Sequence, residues 1–439
     1  MLGGEQPTKG DRVNRENRRR QRKASDASRQ PSRRTDPATQ SSGVRTSNPH
    51  RILWYSNAPW ASTGYGEQTA QMVQRLSQRG HEVALLANYG LEGSSTVWND
   101  IQIYPRGFAP YSDDVLAAHA AHWSQQNPDL PSVVMTLFDV WCLKAKTIET
   151  IDRIYAWTPI DHQPAPPEVT AWTKRDNVTP IAMSEFGSSM FTADNIDHEY
   201  APHGIESVFS PTGNDFVSPS GETRSFRNMM SVPEDAFVVM MNSANKGKNP
   251  SRKAFGENLM AFGIFAATRP DAVLYMHTEQ YGNMNGVHLP KLAKACGIKD
   301  DQIKFVDQYA YRNSIPKDIL AGFYSASDCL LACSMGEGFG IPVIEAQACG
   351  TNVIVSDWTA QRELCGSGWR VPVQPYWDAD QTSWFGIPNI QGIVLALEAA
   401  YESDRGVSNH AVAFGEQYHA DRVFDEYWVP ILERMENEA

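Results

Sequence analysis

The apolar positions of this 439-residue chain fall in short runs separated by helix-length stretches. Arg51-Ile52-Leu53-Trp54-Tyr55-Ser56 is the first such run and reads as a strand; the polar, glycine-bearing stretch Asn57 to Gly66 then reads as a loop. From about Glu67 to Arg79, Ala70, Val73 and Leu76 share one helical face beside Met72, and Gly80 stops the helix before the strand His81–Leu86. Strand, helix and strand make one β–α–β unit. Further strands are predicted at 132–137, 154–157 and 180–185. A second series follows: strand 236–241, helix 254–267, then strands 272–276, 303–306, 329–333 and 352–355. Alternating strands and helices of this kind form parallel sheets, so the fold class is α/β with two Rossmann-like domains. Pro211-Thr212-Gly213-Asn214 and the Ser/Gly/Pro-rich 218–222 separate the series, which places the boundary near 215. The domains are therefore expected at 49–214 and 215–415. A terminal helical segment over 416–439 carries a broad apolar stripe (Val423, Phe424, Tyr427, Trp428, Ile431, Leu432) that Pro430 is expected to kink.

Residues 1–48 break the pattern. They are rich in Arg, Ser, Gln, Asn and Pro, bury too little to offset their ordering entropy, and are expected to be a disordered arm. Charge sharpens the division. Of 39 Lys/Arg and 51 Asp/Glu in all, the arm holds 12 and 5, a net of +7, which leaves 27 and 46 elsewhere, a net of −19. An acidic body argues against broad contact with anionic membrane or duplex DNA, whereas the arm alone suits nucleic acid or an acidic partner. A solubilising tail without a specific ligand reads equally well. No run reaches the roughly 18 apolar residues of a membrane span, and no signal peptide is read at the N-terminus. Six cysteines lie mostly in apolar strand or helix contexts, which favours buried thiols and a cytoplasmic setting.

The richest chemistry lies between residues 329 and 355. The apolar run Cys329–Cys333 feeds three glycines, Gly336, Gly338 and Gly340; Pro342 suits a first helical position and Gly350 a helix stop. Asn352–Val355 is the next strand. A helix start after a glycine loop presents backbone N–H groups and a positive dipole end, which suits phosphate. Glu337 sits in the loop, and Glu345 falls in the first helical turn, where a carboxylate can accept two hydrogen bonds from vicinal hydroxyls. A phosphate site between two such carboxylates fits a nucleotide-sugar.

Glu337, seven intervening residues and Glu345, within Glu337-Gly338-Phe339-Gly340-Ile341-Pro342-Val343-Ile344-Glu345-Ala346, resemble the E-x7-E signature of glycosyltransferase family 4. The resemblance implies a GT-B fold, two Rossmann-like domains facing an interdomain cleft, a last helix (416–439) that crosses back onto the first domain through its apolar stripe, and metal-independent, retaining transfer from a nucleotide-diphosphate sugar without a further cofactor. Its roles, carried over, put Glu337 and the Gly338, Phe339, Gly340 and Ile341 segment on the donor sugar and Glu345 on the ribose. The family places a lysine at the start of the helix after the second domain's first strand, and Lys253 matches it. The family's arginine position is occupied here by Asn245 and Lys246, so the second diphosphate cation is Lys246 or Arg252. Gly64-Tyr65-Gly66 resembles the family's glycine loop between acceptor and donor sugar. Ala201-Pro202-His203-Gly204 is similar to the segment preceding the linker. In Thr158-Pro159-Ile160-Asp161-His162-Gln163-Pro164, a proline-bearing loop at a strand's carboxyl end, Asp161 and His162 are ligand-facing candidates, with His162 on the acceptor side. Asp378-Ala379-Asp380 looks like a metal-binding DxD but is read as a solvated loop, and no metal site is expected.

Seven of the twelve tryptophans (54, 60, 98, 123, 141, 157 and 172) fall in the first domain, most of them as core, with Trp60 the one to test as a sugar platform. Three readings follow. The first is a retaining transferase acting on a glycan, lipid-linked sugar or small molecule. The second is a transferase on a macromolecule, such as modified DNA or a protein, tethered by the arm. The third is a catalytically silent sugar-nucleotide-binding module.

Overall fold

A computed structural model describes residues 45–438 except Pro219 and Lys248. The basic arm thus lies outside the described residues but for its last four positions.

The first strands are β1 (Arg51–Ser56), β2 (Glu82–Ala87), β3 (Thr96–Trp98), β4 (Ile101–Tyr104), β5 (Ser132–Leu137), β6 (Ile154–Thr158), β7 (Val178–Ala182) and β8 (Glu199–Tyr200). They form one sheet in the order β3-β4-β2-β1-β5-β6-β7-β8, parallel except for the β3–β4 pair. The β1 and β5 side chains are buried on both faces, as expected of strands covered by helices on each side. A two-stranded ribbon, β9 (Asp215–Val217) and β10 (Thr223–Ser225), follows. The second sheet holds β11 (Phe237–Asn242), β12 (Ala272–His277), β13 (Ile303–Phe305), β14 (Cys329–Leu331), β15 (Asn352–Ser356) and β16 (Gly368–Val371), all parallel, in the order β13-β12-β11-β14-β15-β16. A hairpin, β17 (Val373–Asp378) and β18 (Ser383–Pro388), completes the strands.

Two local expectations change. The helix predicted from about Glu67 begins at Gly64, because Thr63 is extended and its Oγ1 accepts a 3.0 Å bond from the Gly66 N–H. Gly64-Tyr65-Gly66 is therefore a helical first turn and not a loop. The strand expected at 180–185 runs from Val178 to Ala182, since Ser184 caps the next helix, Glu185–Ala193.

The terminal segment does cross back onto the first sheet. Trp428 is buried with its ring 6.4 Å from Trp54 and 4.9 Å from Trp157, so one apolar cluster includes strand and terminal-helix side chains. Arg79 grips Glu436 through both guanidinium edges at 2.7 and 3.0 Å. In place of a simple kink at Pro430, the helix widens into a π turn over Phe424–Trp428 before Val429–Asn437 resumes. A proline lacks the N–H for a regular turn and crowds the carbonyl four residues back, and a wider turn relieves both.

Candidate functional site

Among the parallel strands of each sheet the order reverses once, between β1 and β5 and between β11 and β14. At such a switch point neighbouring connections leave in opposite directions and open a crevice at the strands' carboxyl ends. A cavity of about 520 Å³ is lined from both crevices: Asn57 and Ser62 follow β1, Asp139 follows β5, Asn242 ends β11, and Ser334 and Glu337 follow β14. A shallower hollow near Glu149, Lys174 and Asn177 lies where β6 and β7 begin, the end that such sheets do not use for ligands.

The glycine loop after β14 is pressed against the loop after β6. A Cβ on Gly336 would stand 2.0 Å from the Asp161 carbonyl oxygen, and one on Gly338 would stand 2.4 Å from the Pro159 Cβ. Only glycine permits that approach, which brings the two sheets' ligand loops together. Gly340, at φ +135°, precedes the Ile341–Ala348 helix, whose positive end borders the cavity together with Gly338, Phe339, Gly340 and Ile341.

Glu337 anchors the cation cluster. Its Oε2 accepts a 2.8 Å bond from Arg252, its Oε1 accepts from Lys253, and its own N–H donates 3.0 Å to the Thr359 Oγ1. Burial alone would raise its pKa, but Arg252 and Lys253 outweigh that and hold it at about 2. Arg252 also donates to the Gly336 carbonyl at 2.5 Å and stands 3.7 Å from Asp161. Of the two alternatives for the second cation, Arg252 joins Lys253 on Glu337, whereas Lys246 is exposed at the rim, 5.9 Å from the Tyr89 ring. Burial pushes the Lys253 ammonium down, against the pull of Glu337.

Glu345 lies in the helix's first turns, buried, with Oε2 accepting a 2.9 Å bond from the Tyr324 hydroxyl, which in turn accepts 2.7 Å from the Asn242 side chain. Burial raises its pKa to about 7, against the Tyr324 bond. Between the ordinary value of 4.5 and 7 the folded protein keeps a proton that the unfolded chain releases, so this group makes stability fall as pH rises through that window. Glu345→Gln has no proton to lose. Its stability relative to the parent is expected to rise by up to about 3 kcal/mol from about pH 5 to about pH 8. Melting curves at the two pH values check this, and a constant offset would refute it.

The wall contributed by the first sheet differs from expectation. Asp161 lines the cavity, but His162 does not. The His162 ring is 3 % exposed, stacked 3.8 Å from Phe385, with Nδ1 2.7 Å from Asp161 and Nε2 3.2 Å from Asp378. Its expected ligand-facing position is thereby corrected: it braces Asp161 and ties the β17–β18 hairpin to the β6 loop. Asp378 is likewise not a solvated loop residue. It ends β17, and its carboxylate is occupied by His162. Against the effect of burial, His162 and Arg252 hold Asp161 below the usual carboxylate range. Gly64 and Tyr65 line the cavity, while Gly66 packs on the Ala61 carbonyl behind it.

Among the lining residues that were not candidates, four carry groups of chemical interest. Asp139 follows β5 with its pKa raised to about 6 by burial and by Asp161. His203 and His277 are buried with Nδ1 unpartnered, and burial lowers them to about 3 and about 4. Gln361 is the fourth. A polar group at the end of an apolar strand, the rule that picked out Asp161, also marks Asp139 and His277; His203 and Gln361 carry no such signal. The walls are fastened by Lys317, which pairs with both Glu67 and Glu206, and by Glu363, which accepts the Glu185 and Phe186 N–H groups at 2.7 and 2.8 Å. Among the described residues no His/Cys/Asp/Glu group could hold a metal ion, and no helix is long and apolar enough to cross a membrane.

Residues 287–383 match the family described as glycosyl transferases group 1. A D-inositol 3-phosphate glycosyltransferase 2 from Catenulispora acidiphila is 30% identical over 142 residues, 31% of this chain and 31% of that protein. The chain thus matches only about a third of the length of its curated relatives. Sucrose-phosphate synthase from Thermosynechococcus elongatus superposes with a TM-score of 0.68 at 14% identity, over 89% of this chain and 100% of that one. An Anabaena protein, HepE, solved in complex with UDP-glucose, superposes with a TM-score of 0.59 at 13% identity, over 87% and 99%. The fold is GT-B, of the kind seen in group 1 glycosyltransferases.

Proposed function

We propose that this GT-B chain is a retaining glycosyltransferase that moves a sugar from a nucleotide-diphosphate sugar to an acceptor bound against the first sheet. The observation that carries the reading is the juxtaposition, on one cavity, of the Arg252–Lys253 pair, the Ile341 helix start and the buried Glu345. Cations and a helix start suit a diphosphate, and a first-turn carboxylate suits ribose hydroxyls. The glycosidic C–O bond breaks with its electron pair leaving on the diphosphate. The acceptor hydroxyl oxygen forms the new bond on the same face, and its proton passes to the leaving phosphate oxygen. Arg252 and Lys253 offset the negative charge that develops there.

Glu337 is assigned to positioning, because a carboxylate held at about 2 by two cations is a poor nucleophile. Asp161, braced by His162, faces the transferred sugar in this reading. Metal independence is part of the proposal and is supported by the two cations and by the engagement of Asp378 with His162. The six free cysteines suit a reducing cytoplasm. The basic arm remains a candidate tether for nucleic acid or an acidic partner.

A thermal-shift screen against UDP-, GDP- and ADP-sugars tests the donor assignment, since a ligand of the folded state raises the melting temperature. One donor class is expected to shift the parent and to lose that shift in Glu345→Ala. No shift with any donor would overturn the reading in favour of a module with another ligand.

A further inference from the structure

Four half-exposed aromatic rings sit on the lip of the cavity's first wall. Each lies in the loop after one of four adjacent strands: Tyr111 after β4, Tyr89 after β2, Trp60 after β1 and Trp141 after β5. They are 38, 39, 41 and 41 % exposed, whereas Trp54, Tyr55 and Trp157 of the same sheet are buried. The strands are mutually parallel, so these loops leave from the carboxyl ends, the ligand side. Four strands side by side span about 15 Å.

The rings are held in place. Trp141 meets Tyr111 edge-on at 6.1 Å, and Tyr111 meets Phe138 at 6.0 Å. Ser112 donates 2.8 Å to Asn88, joining the Tyr111 and Tyr89 loops, and the Trp60 indole N–H donates 2.8 Å to the Gly90 carbonyl. The lip adjoins the cavity: the ammonium of Lys246, a lining residue, stands 5.9 Å from the Tyr89 ring, and the lining residues Ser62 and Asp139 belong to the same loops as Trp60 and Trp141.

We propose that this aromatic lip is an acceptor subsite for a glycan chain, which makes the acceptor an oligosaccharide or polysaccharide; this rests on the transferase reading above. Positioned ring faces pack against the apolar C–H faces of sugars while leaving the sugar hydroxyls to water. A row of them selects several linked rings over a single small molecule. Charge separates the glycan from the alternatives. Asp139 lines the adjoining wall, Asp114 follows Tyr111, and against Lys246 beside Tyr89 and Lys144 on the buried Asp113 the chain beyond the arm carries a net of −19. An anionic lipid surface or a nucleic acid is repelled by such a field, and a neutral glycan is not.

The test is a printed array of α- and β-linked gluco-, manno- and galacto-oligosaccharides of increasing length, run on the full chain, with phosphatidylcholine vesicles as a parallel probe. The parent is expected to bind at least one series, more tightly as the chain lengthens. Trp60→Ala and Trp141→Ala should each weaken binding by about tenfold, and the phenylalanine variants should restore most of it. Absence of glycan binding, binding indifferent to both alanine variants, or capture by vesicles in its place would overturn the proposal. The donor thermal shift separates the two levels. A donor shift without glycan binding faults this inference alone, and glycan binding without a donor shift faults the donor reading alone.

Discussion

Lys253→Ala is expected to lower turnover of the sugar donor by about 10²–10³-fold, the loss of about 2.7–4 kcal/mol typical when one preorganised donor to a developing anion is removed. The reason is placement. Lys253 stands before the Phe255–Ala266 helix, fixed on the Glu337 carboxylate that Arg252 shares, and an ammonium keeps further N–H donors for a phosphate. The variant should fold, because Glu337 retains Arg252 and is not left as an unpaired buried charge. Steady-state rates with the donor found by thermal shift, beside circular dichroism of the variant, make the measurement. Turnover within about twofold of the parent would remove Lys253 from the reacting centre. Lys246→Ala, at the exposed rim, serves as the contrast and should change much less.

Trp428→Ala should cost about 3–5 kcal/mol of unfolding free energy, the range for deleting a large aromatic from a core. Its ring is 1 % exposed, packed against Trp54 and Trp157, and it joins the terminal helix to the first sheet after the chain has passed through the second. Denaturant unfolding measures the loss. A cost below about 1 kcal/mol would mean that the terminal segment docks without supporting the first sheet.

Much of this architecture is legible along the chain. Apolar runs and glycine or proline stops report local backbone geometry, so β1, β5, β11, β12 and β15 fall within a residue or two of their predicted bounds. Glu337, Glu345 and Lys253 could be brought to one ligand face because a strand–loop–helix unit sets where its own loop and first turn point. The arrival of the terminal aromatic stripe at the first sheet matches what the GT-B resemblance implies. What sequence left open is every choice between neighbours. Asp161 rather than His162 lines the cavity because Phe385 and Asp378, more than two hundred residues away, hold the histidine behind the wall. Arg252 rather than Lys246 joins Lys253 because the Gly336 carbonyl and Glu337 draw the guanidinium inward. Asp378 looked solvated because its partner is remote, and Trp141 looked like core because the edge-on contact with Tyr111 that leaves it half exposed is set by a separate loop. Periodicity and caps act over a few residues, and they determined the elements and their ends. Which of two adjacent side chains turns toward a ligand depends on packing from distant segments, and only the tertiary structure decided that.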